Sequence, residues 1–219
     1  MKGETSLTSM SGGHSGLDSQ NRSSSASHFD LVVLAASAGG LKAITAIVSG
    51  LSAAFPVPLA IVLHRSKQLP NMLAQVLGHS TALIVRTAEA GERPTPGTIY
   101  VAPSDRHLTI THDGTFALMD EQLIHHTYSA ADPLFRSAAE VYGNRVVAIV
   151  LTGGQDDAAE GARAVGLAGG IVIAQNEATS QVFSMPQATI ATGQADTILA
   201  IEDIAPALTR LIKRGSLWS

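Results

Sequence analysis

The chain has 219 residues, a formal net charge of −4, 45% apolar and 15% charged residues, the composition of a globular protein with one domain of ordinary size. It has no cysteine, which excludes disulfides, thiolate metal sites and cysteine nucleophiles. It has no dense Lys/Arg cluster of the kind nucleic acid selects, no apolar run of the ~18 residues a membrane helix needs, and no apolar core of a secretory signal at its N-terminus. A cytoplasmic protein is expected, with no membrane insertion and no nucleic-acid partner.

Residues 1–28 are rich in Ser and Gly and nearly free of large apolar side chains. They read as a disordered tail, too short for a domain of its own. From Phe29 to about residue 215 the pattern is that of a single folded unit. Short apolar runs at Phe29–Ala36, Leu59–Leu63, Leu83–Val85, Arg145–Leu151 and Gly170–Ala174 are rich in Val, Ile and Leu with little polar alternation. Strands covered on both faces of a parallel sheet read this way.

Stretches with helical spacing lie between most of these runs, among them Leu41–Val48, Ala131–Gly143 and Ile201–Arg214. The alternation predicts a doubly wound α/β fold, a mostly parallel sheet with helices on both faces. The segment 98–119 differs. Thr98–Ala102, His107–Thr111 and Thr115–Met119 are short, with a turn at His112–Gly114, and predict a small antiparallel excursion.

Ligands of such sheets bind beyond the carboxyl ends of the strands. Three strand ends carry reactive side chains. Ser37 breaks the first run and opens the turn Ser37–Gly40, His64 ends the second, and Asp156 and Asp157 follow the fourth. A nucleophile, a base and an orienting carboxylate on one sheet edge are what acyl transfer needs. Each has a plainer reading. Ser37 can cap its helix or bind phosphate at the helix N-terminus, His64 can be a satisfied rim histidine, and either aspartate can cap the helix that starts near Ala158.

The glycines around Ser37 match neither G-x-G-x-x-G, nor a Walker A loop, nor G-x-S-x-G, where Ala35 holds the first glycine's place. His125-His126 are chain neighbours, which point apart more often than they chelate, and no zinc motif is present. His107 reads as structural. Met185-Pro186 reads as the opening of a helix.

Several motifs together resemble one family. The runs LAASAGGLKAI and IVLH, then EAGERPTPGTIYVAPSDRHL, ADPLFRSAAEVYG, VVAIVLTGGQDDAAEGARAV and IAQNEATSQVFSMPQA, are similar to the catalytic domain of chemotaxis protein-glutamate methylesterases. The resemblance is collinear from about Leu31 to Leu211. It implies a serine hydrolase that removes methyl esters from glutamates on the cytoplasmic helices of methylated chemoreceptors. Some members also deamidate receptor glutamines.

Motif by motif, the resemblance makes Ser37 the nucleophile, His64 the general base and then acid, and Asp157 the orienting carboxylate. The N–H of Gly154 becomes an oxyanion donor, with Ala38, Arg65 and Met185 completing the oxyanion and substrate-binding surface. No metal or cofactor is implied, and a monomer is expected.

The chain departs from the archetypal pattern at four places. Ala38 replaces the threonine after the nucleophile, Arg65-Ser66 replaces the Met-Pro that often follows the histidine, and Ala158 replaces the glycine after the catalytic aspartate. The phosphoacceptor receiver domain that gates archetypal members does not fit in the residues before Phe29. Regulation is then expected from elsewhere, or the domain stands open, or the chain is a fragment of something larger. Two readings of other classes remain at this point. One is a non-catalytic α/β module for a phosphate-bearing ligand, which needs Ser37 but not His64 or Asp157. The other is a degenerate family member serving protein interaction.

Overall fold

The computed structural model describes residues 29–64, 72–119 and 130–214. The expected tail 1–28, Arg65 to Lys67 and His125-His126 lie outside them. The first half contains strand β1 (Leu31–Ala36), helix α1 (Gly40–Ser49), β2 (Leu59–Leu63), α2 (Leu73–Gly78), β3 (Ile84–Thr87) and β4 (Thr98–Val101). A hairpin of β5 (His107–Ile110) and β6 (Phe116–Met119) follows, then α3 (Asp132–Tyr142) and β7 (Val146–Val150). The chain closes with α4 (Ala159–Leu167), β8 (Ile171–Gln175), α5 (Ser184–Ala191), β9 (Thr197–Leu199) and α6 (Ile201–Arg214).

Among the described residues seven strands form one sheet, in the order β3-β4-β2-β1-β7-β8-β9, and every pairing in it is parallel. β1 is buried along its whole length, and alternate residues of a strand face opposite sides. Val32, Leu34 and Ala36 therefore join the apolar core that includes Ile44 and Ile47 of α1 and Leu208 and Leu211 of α6. Leu31, Val33 and Ala35 join the core on the other face, with Leu134 and Phe135 of α3 and Val165 of α4. Two-sided burial explains why the strands read as unbroken apolar runs.

The fold corrects the sequence reading at two places. Thr98–Val101 is not part of the antiparallel excursion. As β4 it pairs parallel with both β2 and β3. Parallel neighbours usually need a helical crossover, but β3 and β4 are joined by Ala88–Gly97, which holds Pro94 and Pro96 and no helix. That connection resembles the loops of a hairpin region. The second place is β9, which has three residues, too few to show a pattern. The antiparallel excursion is the β5–β6 pair. It is held to α3 by the Ile110 N–H, which donates to Ser137 Oγ at 2.9 Å.

The chain runs outward from β1 to β2 on one side and later to β7 on the other. The order thus reverses at β1, and a crevice opens there at the carboxyl ends. Register holds the three ends level, since Ala36 pairs with Leu63 and Ala35 with Val150.

Candidate active site

The ladder continues past the strand ends and fixes the backbone of the site. Ser37 N–H donates to Thr152 C=O at 3.0 Å and His64 N–H donates to Ala36 C=O at 3.0 Å. Ser37 and His64 line one cavity of about 480 Å³. Ser37 does not cap α1. The N-cap position is Gly39, in the left-handed region at φ 77°, with no side-chain cap. Among the described residues the Ser37 hydroxyl makes no hydrogen bond.

His64 meets Asp157, with Nε2 2.5 Å from Oδ2. The imidazole side chain is 13% exposed and the carboxylate not at all. A buried carboxylate needs more than one partner, and Asp157 has them. Its Oδ2 accepts the Ala131 N–H at 2.7 Å and its Oδ1 the Asp132 N–H at 3.2 Å. These N–H groups lie at the start of α3, where a helix offers no internal acceptor and a negative charge is favoured. Burial pushes the Asp157 carboxyl up. The bond to His64, the charge of that ring and the two N–H donors outweigh it and hold the carboxyl below the ordinary carboxylate range.

The loop between β7 and α4 explains why Asp157, and not Asp156, turns inward. Gln155 at φ 66° and Ala158 at φ 77° are both left-handed, a conformation that costs a non-glycine residue roughly 1–2 kcal/mol. Two such residues reverse the chain sharply around the aspartate pair, leaving Asp156 exposed and Asp157 buried. The strain is offset by the bonds Asp157 makes. The N-cap position of α4 is Ala158, and the Asp157 carboxylate bonds the start of α3 instead.

The remaining candidates fall in different places. Ala38 is exposed and Gly154 half-buried, and a Cβ added at Gly154 would meet open space. Among the described residues neither backbone N–H has an acceptor. Met185 is fully buried and lies under the site, not on its surface. Its N–H donates to Gly153 C=O at 3.0 Å. A Cβ at Gly153 would stand 2.0 Å from Met185 Sδ and 2.9 Å from Ser37 Cβ, so Gly153 is what lets the thioether and the serine close on the same turn. His107 is buried, and its Nδ1 accepts the Ala130 N–H at 3.0 Å, which anchors the approach to α3. Arg65 lies outside the described residues.

Sequence reasoning missed two further residues. Thr152 Oγ1 donates to Ala38 C=O at 2.9 Å and accepts the Val182 N–H at 2.9 Å, tying the serine turn to the segment before α5. Gln175 accepts the Thr152 N–H at 2.9 Å through Oε1 and donates from Nε2 to Thr179 C=O at 2.8 Å. The available signal was a polar residue ending the apolar run of β8.

The family model for CheB methylesterase matches residues 32–208, most of the chain. The chain belongs to the CheB methylesterase family. It is 37% identical over 190 residues to a protein-glutamate methylesterase/protein-glutamine glutaminase of Maricaulis maris, covering 85% of this chain and 47% of that relative. With one from Anaeromyxobacter dehalogenans it shares 38% identity, covering 86% of this chain and 55% of the relative. The chain thus spans about half the length of the curated relatives it matches. The CheB methylesterase catalytic domain of Thermotoga maritima has the same fold, with a TM-score of 0.81 at 35% identity over 84% of this chain and 99% of that one.

Proposed function

We propose that this chain is a serine hydrolase that removes methyl esters from glutamate side chains of chemoreceptor-like proteins in the cytoplasm, and that it also deamidates glutamines at such positions. The observation that carries this reading is the contact of His64 with the buried, ionised Asp157, beside the cavity that Ser37 and His64 share. The names of the relatives, protein-glutamate methylesterase/protein-glutamine glutaminase, support the reaction. Among the described residues no helix is long and apolar enough to cross a membrane.

Asp157 holds Nε2 of His64, so Nδ1 is the nitrogen left for the serine proton. In the first step Nδ1 takes that proton as Ser37 Oγ bonds the ester carbonyl carbon. The oxygen that becomes negative is placed toward the N–H groups of Ala38 and Gly154. The C–O bond to the methoxy group then breaks, and the proton on Nδ1 leaves with it as methanol. In the second step water gives a proton to Nδ1 and its oxygen to the acyl carbon, the bond from that carbon to Ser37 Oγ breaks, and the proton returns from Nδ1 to Oγ, which releases glutamate and restores Ser37. Asp157 stabilises the imidazolium in both steps. With a glutamine substrate the departing group is ammonia.

Methanol release from methylated receptor fragments tests the assignment. Wild type is expected to release it, and Ser37→Ala and His64→Ala are expected not to. A wild type that releases none across several methylated receptors, or a Ser37→Ala protein that releases as much as wild type, overturns it.

A further inference from the structure

Two cavities open on either side of the start of α1. One, of about 480 Å³, holds Ser37 and His64. The other, of about 470 Å³, is walled by Thr179, Ser180, Gln181 and Ile201. Gly39 and Lys42 line both, so a single helical turn divides the space of the reacting ester from its neighbour.

The charge in the second cavity's lining is of one sign. Among the described residues no Asp or Glu lines either cavity. Lys42 is exposed, and among the described residues it forms no ion pair. The first turn of its own helix carries no acidic residue. The three hydroxyls in its lining are already engaged, Thr152 Oγ1 donating to Ala38 C=O at 2.9 Å, Ser180 Oγ to Asn176 C=O at 2.7 Å and Thr179 Oγ1 to Asn176 Oδ1 at 2.7 Å. The Gln181 side chain is folded onto the dividing turn, since a Cβ at Gly39 would stand 2.6 Å from its Oε1. Among the described residues, one ammonium without an ion-pair partner and two amides, Gln175 and Gln181, thus line this cavity, in a chain whose net charge is −4.

We propose that this second cavity is a specificity subsite, in which Lys42 receives the carboxylate of an acidic side chain flanking the ester on the substrate helix. This rests on the methylesterase reading above. Side chains three or four residues apart on a helix stand about 5–6 Å from one another at Cβ, and the two cavities are divided by a single turn. A substrate helix laid across the cleft presents its ester to Ser37 and an acid one turn away to Lys42. An ammonium on a flexible stem suits this role, because it meets a carboxylate without a fixed geometry.

The test uses helical peptides that carry one glutamate methyl ester, with Glu, Met or Lys placed four residues before or after it, and reads kcat/KM from methanol release. Wild type is expected to favour the Glu peptide over the Met peptide about three- to fivefold, the upper range for an exposed ion pair. This preference is expected to fade toward unity at about 0.5 M salt. Lys42→Met is expected to bring the ratio to about one, and Lys42→Glu to place the Lys peptide first. Turnover by wild type without preference at either position, or a preference that Lys42→Met retains, overturns the subsite and leaves the reaction standing. No methanol from any peptide overturns the reaction and the subsite with it.

Discussion

Asp157 and Asp132 close the ends of each other's helices. Asp157, just before α4, accepts the Asp132 N–H at the start of α3 at 3.2 Å. Asp132 Oδ1 accepts the Gly161 N–H in the first turn of α4 at 2.6 Å. The exchange needs the helices close together, and Gly161 permits it, since a Cβ there would stand 2.5 Å from Phe135 Cβ. One carboxylate therefore serves His64 while the other holds the helix that supports it.

Asp132→Ala removes the acceptor of a buried N–H, which costs about 1–3 kcal/mol. It also loosens the N-terminus of α3 under Asp157. Stability is expected to fall by that amount and turnover to fall with it. Asp132→Asn keeps an oxygen at the same place, so most of both should survive. Denaturant melts and methanol release on the two variants check this. Equal damage from both would show that the charge, not the acceptor, matters.

Asp157→Asn is expected to lower kcat by about 10⁴, as loss of the orienting carboxylate does in serine hydrolases. Asp156→Asn should change kcat little, because Asp156 is exposed and it is Asp157, not Asp156, that meets His64. Steady-state kinetics on both folded variants decide it. A larger loss for Asp156→Asn would reverse the assignment.

Much of the fold is legible in the sequence because its strands are buried on both faces. β2 spans the residues its apolar run predicts, and β1 and β7 lie within theirs. Ser37, His64 and Asp157 stand out as polar residues that end or follow such runs. What is not legible depends on contacts distant in sequence. The place of β4 beside β2 rests on a crossover without a helix. The inward turn of Asp157 rests on left-handed Gln155 and Ala158, residues that do not advertise that conformation. The pairing of Asp157 with α3 links segments about 25 residues apart with no local motif. The burial of Met185 follows from its contact with Gly153, since nothing in its own neighbourhood of sequence separates a packing methionine from a cleft one.

Gly153→Ala is expected to be far more damaging than Gly154→Ala. The new methyl would press on a fully buried Met185 and on Ser37 Cβ. Overpacking of this kind costs about 1–3 kcal/mol, and here relief requires moving the serine. Turnover should drop more than stability alone explains. Gly154→Ala adds a methyl with nothing within 4 Å, so the melting temperature should hold. If Gly153→Ala melts and turns over as wild type does, the close packing beneath Ser37 is not what positions it.

The acid limb of stability should carry the signature of Asp157. Its carboxyl is held below the ordinary value of 3.8, against burial, by His64 and the N–H groups of Ala131 and Asp132. A group with a depressed value in the folded state binds its proton less readily there than in the unfolded chain. Its contribution is thus complete above the ordinary carboxylate range and is lost as pH falls from about 3.8 through the lower folded value. Asp157→Asn should therefore be less stable than wild type at neutral pH, with the gap narrowing as pH falls below about 4. Denaturant melts of both proteins between neutral pH and pH 3 measure the gap directly. A gap that stays constant, or widens, with acid would mean that Asp157 is not held ionised by its partners, and the electrostatic support assigned to His64 would fall with it.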